Sequence, residues 1–185
     1  MKENIILASA SPRRKELLAV ITNDFEVVPS DAEEIVPSGI AADETAEYLA
    51  KIKALSVAQI HPESIVIGAD TCVVADGVIL GKPKDKAQAK QMIKLLSGKT
   101  HKVITGCAIV KNGQVDSFSV CTEVEFYSLS EEEIESYINT SEPYDKAGGY
   151  GIQGKASLFV KGIKGDYFNV VGLPVAELNK RLKMM

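Results

Sequence analysis

The sequence predicts an α/β protein with a mixed β-sheet and flanking helices. Three observations predict this fold class. Short apolar, β-branched runs alternate along the chain with amphipathic stretches of helical period, which is typical of strands linked by helices. An Asp-Gly pair at residues 76–77 and an Asn-Gly pair at 112–113 separate neighbouring apolar runs and predict two-residue hairpins. Because a hairpin pairs its strands antiparallel, the sheet is expected to be mixed rather than purely parallel.

The first part of the chain predicts two short strands and two helices. Residues 5–8 are apolar and form the first strand, and residues 25–28 form the second. Ser11 is the expected N-cap of the intervening helix, with Pro12 at its first position. A longer helix is predicted over 43–60, where it ends before a His-Pro pair.

The middle of the chain predicts a buried strand, a hairpin and a capped helix. Residues 64–69 contain a continuous apolar, β-branched run and form the buried strand. Residues 72–74 and 78–80 form the hairpin, and Asp85 with Gln88 is a capping-box pair that begins the helix.

The second half of the chain continues the alternation. It is predicted to contain, in order, strands at 103–110 and 115–126, a helix capped by Ser130 with Glu133, a glycine-rich segment at 147–154, a strand at 158–160 and a terminal helix after Gly172-Leu173-Pro174. No Gly-x-Gly-x-x-Gly follows the first strand, and no Walker-type Gly-x-x-x-x-Gly-Lys-Ser/Thr occurs.

Length and composition predict one soluble domain over 1–185. The chain has 185 residues, of which 45% are hydrophobic and 25% charged, as in ordinary globular proteins. With 21 Lys and Arg against 25 Asp and Glu, the net charge is −4, which argues against a nucleic-acid partner. No run approaches the roughly 18 apolar residues of a membrane helix, so no membrane partner is expected.

Cysteine and histidine point to a cytoplasmic location and away from zinc. Cys72, Cys107 and Cys121 are far apart in apolar or β-branched stretches, as expected for reduced thiols in strands. His61 and His101 are the only histidines, so a zinc cluster is not expected.

The junction after the first strand, at residues 9–15, carries three basic residues where a helix begins. A helix N-terminus attracts anions, whereas Arg13, Arg14 and Lys15 would repel one another there unless an anion were bound. This conflict indicates an anion site, but a solvated surface turn explains it equally well.

Lys53 lies on the same helical stripe as apolar residues of the predicted helix over 43–60. Its ammonium could reach solvent at the rim of the helix or pair with an anion in a cleft. Periodicity alone favours the first interpretation.

Carboxylates and a lysine follow the predicted strands. Asp70 comes after the buried strand, where it could bind a hard divalent cation, take a proton from water, or simply cap a turn. Glu33 and Glu34 could join it or be surface charge. Lys82 after the hairpin could reach the same crevice or lie in a solvated turn.

The glycine-rich segment at 147–154 contains Gln153, whose amide both donates and accepts hydrogen bonds. Such a side chain suits the edge of a nucleobase, and glycines let backbone approach a ligand closely. A flexible loop without a ligand is the alternative.

Several motifs in order along the chain resemble the Maf family, the septum-formation-inhibitor-like nucleoside triphosphate pyrophosphatases. The resemblance covers residues 6–174. Its motifs are Leu7-Ala8-Ser9-Ala10-Ser11-Pro12-Arg13-Arg14, Ile67-Gly68-Ala69-Asp70-Thr71, Gly81-Lys82-Pro83, Leu96-Ser97-Gly98, the run from Asp145 to Gly154, and Val171-Gly172-Leu173-Pro174.

This resemblance implies a fold, a reaction and an assembly. The family's fold has two lobes around a deep cleft, like the inosine triphosphatase group, and dimers are common in it. Its members hydrolyse a nucleoside triphosphate to the monophosphate and pyrophosphate with Mg²⁺ or Mn²⁺. We therefore expect a metal-dependent enzyme, a homodimer and a nucleotide substrate.

The resemblance also implies roles for single residues. Asp70 matches the family's proposed proton acceptor, and Arg13, Thr71 and Gln153 match the positions associated with substrate choice in the branch that acts on dTTP and UTP. The remaining matches to polar or charged cleft positions are Ser9, Arg14, Glu34, Lys53 and Lys82. Glu34 and Asp70 are the expected metal ligands.

Two other functions compete with a dTTP and UTP pyrophosphatase. One is a nucleotide-binding regulator of septum formation and cell division, which only the family name motivates. The other is a pyrophosphatase of a modified purine nucleotide such as 7-methyl-GTP, which would share the fold and the mechanism.

Overall fold

The predicted alternation of strands and helices is present in the computed structural model, which describes residues 4–185. The strands are β1 (Ile5–Leu7), β2 (Glu26–Val27), β3 (Ile65–Ala75), β4 (Val78–Leu80), β5 (Thr100–Lys111), β6 (Gln114–Phe126) and β7 (Val160–Lys164). The helices are α1 (Pro12–Leu18), α2 (Ala42–Ile60), α3 (Lys86–Leu96), α4 (Glu131–Ile138), α5 (Tyr167–Val171) and α6 (Val175–Leu182). Three short 3₁₀ helices, Glu142–Asp145, Ala147–Gly149 and Lys155–Phe159, lie between α4 and β7.

The seven strands form one mixed sheet, which confirms the predicted class. The strand order is β2-β1-β3-β5-β6-β7, with β4 paired to β3. β1 runs parallel to both β2 and β3, whereas the pairs β3–β4 and β6–β7 are antiparallel. None of the helices within residues 4–185 is both long enough and apolar enough to cross a lipid bilayer.

Both predicted hairpin turns are confirmed by their backbone angles. Asp76 and Gly77 have φ of 50° and 78°, and they connect Ala75 to Val78, which pair in the β3–β4 register. Asn112 and Gly113, with φ of 49° and 77°, connect the adjacent strands β5 and β6. Two successive residues with positive φ match the right-handed twist of the strands, which is why Asp-Gly and Asn-Gly mark these turns.

The predicted break between residues 69 and 72 is wrong. β3 is a single strand of 11 residues, so Asp70 and Thr71 lie inside it rather than in a turn after it. Propensity disfavours aspartate in a strand, but the side chains of both residues have polar partners that offset this preference.

Two other local predictions need correction. Leu158 is not in a strand: it belongs to a 3₁₀ helix and is 81% exposed, while β7 begins at Val160. A run of only three apolar residues has no period that separates strand from helix. The capping box at α3 is half formed, because Asp85 accepts from the Gln88 backbone amide but the Gln88 side chain accepts from Lys84. At α4 the complete box of Ser130 and Glu133 is present as predicted.

The chain divides into two compact units. The first holds the described residues up to Thr71, together with Thr105–Val120 and Gly172–Met185. Its core lies where α2 packs on the sheet through small residues, with Ala50 and Ala54 fully buried against Val66.

The second unit comprises Cys72–Ile104 and Cys121–Val171. Its core contains an aromatic cluster formed by Phe126, Tyr137, Tyr150 and Phe159. His101 packs edge-on against Phe126 and Tyr150 in the same cluster.

The three cysteines are thiols in strands, as predicted. Cys72 and Cys107 are buried in β3 and β5, and Cys121 is exposed in β6. Burial raises the pKa of the Cys107 thiol to about 12, so this side chain is an inert core residue at neutral pH.

Candidate active site

Arg14 connects three segments of the first unit that are far apart in sequence. Its Nε donates to the Gly172 carbonyl at 2.9 Å, its Nη1 to Ser9 Oγ at 3.2 Å and its Nη2 to Thr71 Oγ1 at 3.0 Å. The Ser11 side chain caps α1 by accepting from the backbone amide of Arg14, so Arg14 lies in the first turn of the helix. Arg14 is therefore held rigidly at the junction after β1.

Burial lowers the pKa of Arg14, and the nearby Asp70 carboxylate opposes that shift. An arginine titrates so far above neutral pH that the side chain stays charged. A positive charge that is partly removed from water interacts strongly with an anion, because the local dielectric is low.

Thr71 extends this network to a residue that the sequence did not suggest. Its hydroxyl lies 2.9 Å from that of Thr105, which is fully buried in β5. A threonine inside an apolar run has no sequence signal that separates a functional hydroxyl from one packed in a strand. Gly172, whose carbonyl receives Arg14, is likewise recognisable only from its place in a motif.

Lys53 lies between two carboxylates. Its Nζ is 2.5 Å from Asp70 Oδ1 and 3.0 Å from Glu34 Oε1. The side chains of Lys53 and Asp70 are only 13% and 15% exposed, whereas that of Glu34 is 55% exposed. The favoured interpretation that this ammonium reaches solvent is wrong, because a buried lysine needs a paired charge and two carboxylates supply it here.

Close packing of α2 on β3 brings Lys53 to Asp70. A Cβ at Gly68 would lie 2.3 Å from the Ala50 carbonyl and 2.9 Å from Ala54 Cβ, so only glycine permits this approach. Lys53 is within one turn of both alanines on α2, and Asp70 is two residues after Gly68 on β3. Residues that alternate along a strand share a face, so Asp70 points to the same side as the helix.

Arg13, Lys82 and Gln153 complete the set of predicted site residues. Arg13 lies in the first turn of α1 and is partly buried. Lys82 and Gln153 belong to the second unit, and both are exposed. The segments that carry them are joined, because the Gly148 amide donates to the Gly81 carbonyl at 3.0 Å.

Direct contacts within the first unit join at least six of the nine predicted residues. They form two neighbouring groups, one with Ser9, Arg14 and Thr71 and the other with Glu34, Lys53 and Asp70. Asp70 and Thr71 are consecutive in β3, so their side chains point to opposite faces of the strand. The two groups are nevertheless in electrostatic range, because the Asp70 carboxylate opposes the lowering of the Arg14 pKa.

The carboxylates of Glu34 and Asp70 fit a divalent cation of the Mg²⁺ type. Their oxygens converge on one point, which the Lys53 ammonium occupies. Mg²⁺ is bound through one or two carboxylates and completes its octahedron with water and substrate phosphates, so two acids are sufficient. A cluster of three or more His, Cys, Asp or Glu side chains suited to a metal is absent from residues 4–185.

Known proteins resemble the chain over nearly its full length. The profile of the Maf-like protein family matches residues 4–185. A dTTP/UTP pyrophosphatase of Bacillus cytotoxicus is 54% identical over 181 residues, which cover 98% of this chain and 95% of that protein. A dTTP/UTP pyrophosphatase of Bacillus mycoides is 52% identical over 179 residues, covering 97% and 94% respectively.

Solved structures of low sequence identity share the fold. The Ham1 protein of Staphylococcus aureus superposes with a TM-score of 0.56 at 15% identity, covering 98% of this chain and 99% of that one. A HAM1 protein from Coxiella burnetii gives a TM-score of 0.55 at 14% identity, with all of both chains covered. These structures bear out the expected fold class.

Proposed function

Since the chain belongs to the Maf-like protein family, we propose that it hydrolyses dTTP and UTP to the nucleoside monophosphate and pyrophosphate. At the level of reaction class it is a nucleoside triphosphate pyrophosphatase. The choice of dTTP and UTP is supported by the names of relatives about half identical over nearly the whole chain.

The observation that carries the proposal is the position of Asp70. Its carboxylate is mostly buried, contacts the Lys53 ammonium, and acts electrostatically on the Arg14 guanidinium. An acid beside two fixed cations suits a reaction in which a base acts on water next to a chain of phosphates.

In the proposed reaction a water molecule attacks the α-phosphorus. A new bond forms between the water oxygen and the α-phosphorus while the bond to the oxygen that bridges to the β-phosphate breaks. Asp70 accepts the proton from the water, and pyrophosphate departs with the electron pair of the broken bond. Lys53 orients Asp70 through its hydrogen bond, and Arg14 offsets negative charge on the phosphates.

Glu34 and Asp70 are the residues that would hold a divalent cation. Bound Mg²⁺ or Mn²⁺ supplies positive charge that offsets the phosphate oxygens. Lys53 would share these carboxylates with the cation. Comparing the cation affinity of a variant that lacks the ammonium with that of a variant that lacks Glu34 tests this competition.

Substrate choice is assigned to Arg13, Thr71 and Gln153. The exposed Gln153 amide can donate and accept at once, as the edge of uracil or thymine requires. Thr71 is positioned by Arg14 and Thr105. The homodimer and the cytoplasmic location stay predictions, and light scattering of the purified protein tests the first.

The test is product analysis with dTTP, UTP, CTP, GTP and 7-methyl-GTP in the presence of Mg²⁺. Pyrophosphate and the monophosphate are expected from dTTP and UTP, and in H₂¹⁸O the label should enter the monophosphate. Nucleoside diphosphate with orthophosphate, or label in pyrophosphate, contradicts attack at the α-phosphorus. Faster cleavage of 7-methyl-GTP contradicts the assigned substrates.

Two variants test whether the activity depends on Asp70. Asp70→Asn should abolish turnover, because an amide accepts a proton poorly at neutral pH. Asp85→Asn is the matched control: Asp85 caps α3, and asparagine caps helices as well as aspartate does. Turnover that survives Asp70→Asn contradicts the role given to this acid. A nucleotide-binding regulator would keep its cellular effect when Asp70→Asn abolishes hydrolysis, whereas an enzyme would lose it.

A further inference from the structure

We propose that Glu142 is a positioning residue for Gln153, holding the glycine-rich segment in the conformation that reads the base. The proposal rests on the proposed function, because it takes Gln153 as the residue that selects the substrate. All of the contacts that carry it lie within the second unit.

The Glu142 carboxylate binds the backbone amides two and three residues after Gln153. Its Oε2 accepts from the Lys155 amide at 2.7 Å, and its Oε1 accepts from the Ala156 amide at 3.2 Å. Hydrogen bonds to an ionised carboxylate are roughly twice as strong as neutral ones. The chain on the C-terminal side of Gln153 is therefore fixed by a residue 11 positions earlier in the sequence.

The glycine at position 154 is the counterpart of this carboxylate. A Cβ there would lie 2.3 Å from Glu142 Oε1 and 2.4 Å from its Cδ, so the acid occupies the space of the missing side chain. On the N-terminal side of Gln153, a Cβ at Gly151 would lie 2.7 Å from Cε of Lys146. Glu142 and Lys146 thus underlie the two glycines that flank the pair Ile152-Gln153.

The Glu142 side chain is anchored in the core of the second unit. The buried Tyr137 on α4 lies with its hydroxyl 3.2 Å from Glu142 Oε1 and 3.1 Å from the Gly149 carbonyl. Lys146 Nζ donates to the Glu142 carbonyl at 2.9 Å. The carboxylate therefore has three partners, the Tyr137 hydroxyl and the amides of Lys155 and Ala156, and its side chain cannot rotate away without losing them. The Lys146 contact fixes the main chain of Glu142.

The Glu142 carboxylate lies against Gly154, the neighbour of the residue proposed to read the base. Without this carboxylate, two backbone amides lose their acceptor and Gln153 samples more conformations. Binding of the base must then also order Gln153, and this ordering costs binding free energy. The loss falls on substrate binding and discrimination, and the chemistry at Asp70 is expected to be little changed.

The experiment measures kcat and KM for UTP and CTP in the intact protein. Glu142→Ala is expected to raise KM for UTP about tenfold, the equivalent of one charge-assisted hydrogen bond, while kcat changes less than about threefold. The preference for UTP over CTP should fall by a similar factor. Glu142→Gln, which keeps one acceptor oxygen, should recover part of both.

A double-mutant cycle tests whether Glu142 acts through Gln153. If it does, the Glu142→Ala, Gln153→Ala double variant loses no more discrimination than Gln153→Ala alone. Losses that add independently overturn the proposal. Hydrogen exchange at the Lys155 and Ala156 amides gives a readout independent of activity, and unchanged protection in Glu142→Ala also overturns it.

Glu133→Ala is the control for a general loss of stability. Glu133 also accepts a backbone amide, from Ser130 at 2.7 Å in the capping box of α4, but has no part in the glycine-rich segment. It should leave KM and discrimination unchanged, and an effect equal to that of Glu142→Ala would reduce the latter to instability. Failure of the wild-type protein to release pyrophosphate from UTP is a separate result, which refutes the proposed function.

Discussion

Acidification should destabilise the protein through His101, the buried ring in the aromatic cluster of the second unit. His101 is 3% exposed, and its Nε2 lies 2.7 Å from the hydroxyl of Tyr150. Among residues 4–185, no side chain or backbone group is within hydrogen-bonding reach of its Nδ1. Burial therefore lowers the pKa of His101 from 6.5 to about 4, because a second proton on the ring would be neither solvated nor paired.

The direction of the pH effect follows from the protonation of His101 in the folded and the unfolded chain. Below pH 6.5 the unfolded chain binds a proton at this histidine, whereas the folded chain does not bind it until about pH 4. Stability is therefore complete above pH 6.5 and falls as the pH drops from 6.5 to 4. At 1.36 kcal/mol for each pH unit, the loss is roughly 3 kcal/mol, a sizeable part of the 5–15 kcal/mol that stabilises a typical domain.

The assay compares the pH dependence of unfolding in wild type and in His101→Gln. Carboxylates titrate in the same range, so the difference between the two proteins, and not the wild-type slope, measures the histidine. Urea denaturation gives the free energy of unfolding of each protein at each pH. The value for wild type minus the value for His101→Gln should fall by about 3 kcal/mol between pH 7 and pH 4. His61→Gln is the matched control, since it removes the other histidine, which lies at the end of α2. Parallel curves for wild type and His101→Gln, or an equal change in His61→Gln, would refute the reasoning.

Three further predictions concern packing, charge and capping. Gly68→Ala should lower the free energy of unfolding by at least about 1–3 kcal/mol, because the new methyl would overlap the Ala50 carbonyl. Gly162→Ala is the control, because no atom lies near its Cβ position. Lys53→Met should reduce kcat about a hundredfold or more, as measured by pyrophosphate release, because the two carboxylates that it contacts lose their cation. Ser130→Ala should cost about 1 kcal/mol, seen as a lower urea midpoint with unchanged activity.

Local chemistry was sufficient to predict many elements of the fold. The Asp76-Gly77 and Asn112-Gly113 turns, the Ser11 cap with Pro12, and the capping box of Ser130 and Glu133 are all present. Each depends on residues at most four positions apart, so neighbours in sequence carry the whole signal. The predictions failed where a short segment was ambiguous, as at Leu158, or where a distant partner stabilised an unfavourable residue, as at Asp70 in β3.

The candidate site shows a similar division. The family resemblance identified Lys53, Asp70, Arg14 and Thr71 as candidates, but periodicity favoured a solvent-exposed ammonium at Lys53. The pairing of Lys53 with Asp70 depends on how closely α2 approaches β3, which Gly68 permits. Thr105 was missed because a hydroxyl in an apolar strand looks the same whether or not it has a polar neighbour.

By itself, the sequence determined the fold class, the hairpins, the helix caps and the family, because turns and caps are set by short-range backbone preferences and motifs by residue order. The tertiary structure alone decided which distant polar and charged groups contact one another. The Arg14 guanidinium reaches a carbonyl 158 residues away, and the Glu142 carboxylate reaches amides beyond Gln153. Such contacts form only when packing brings distant segments together, and no local preference encodes the partner.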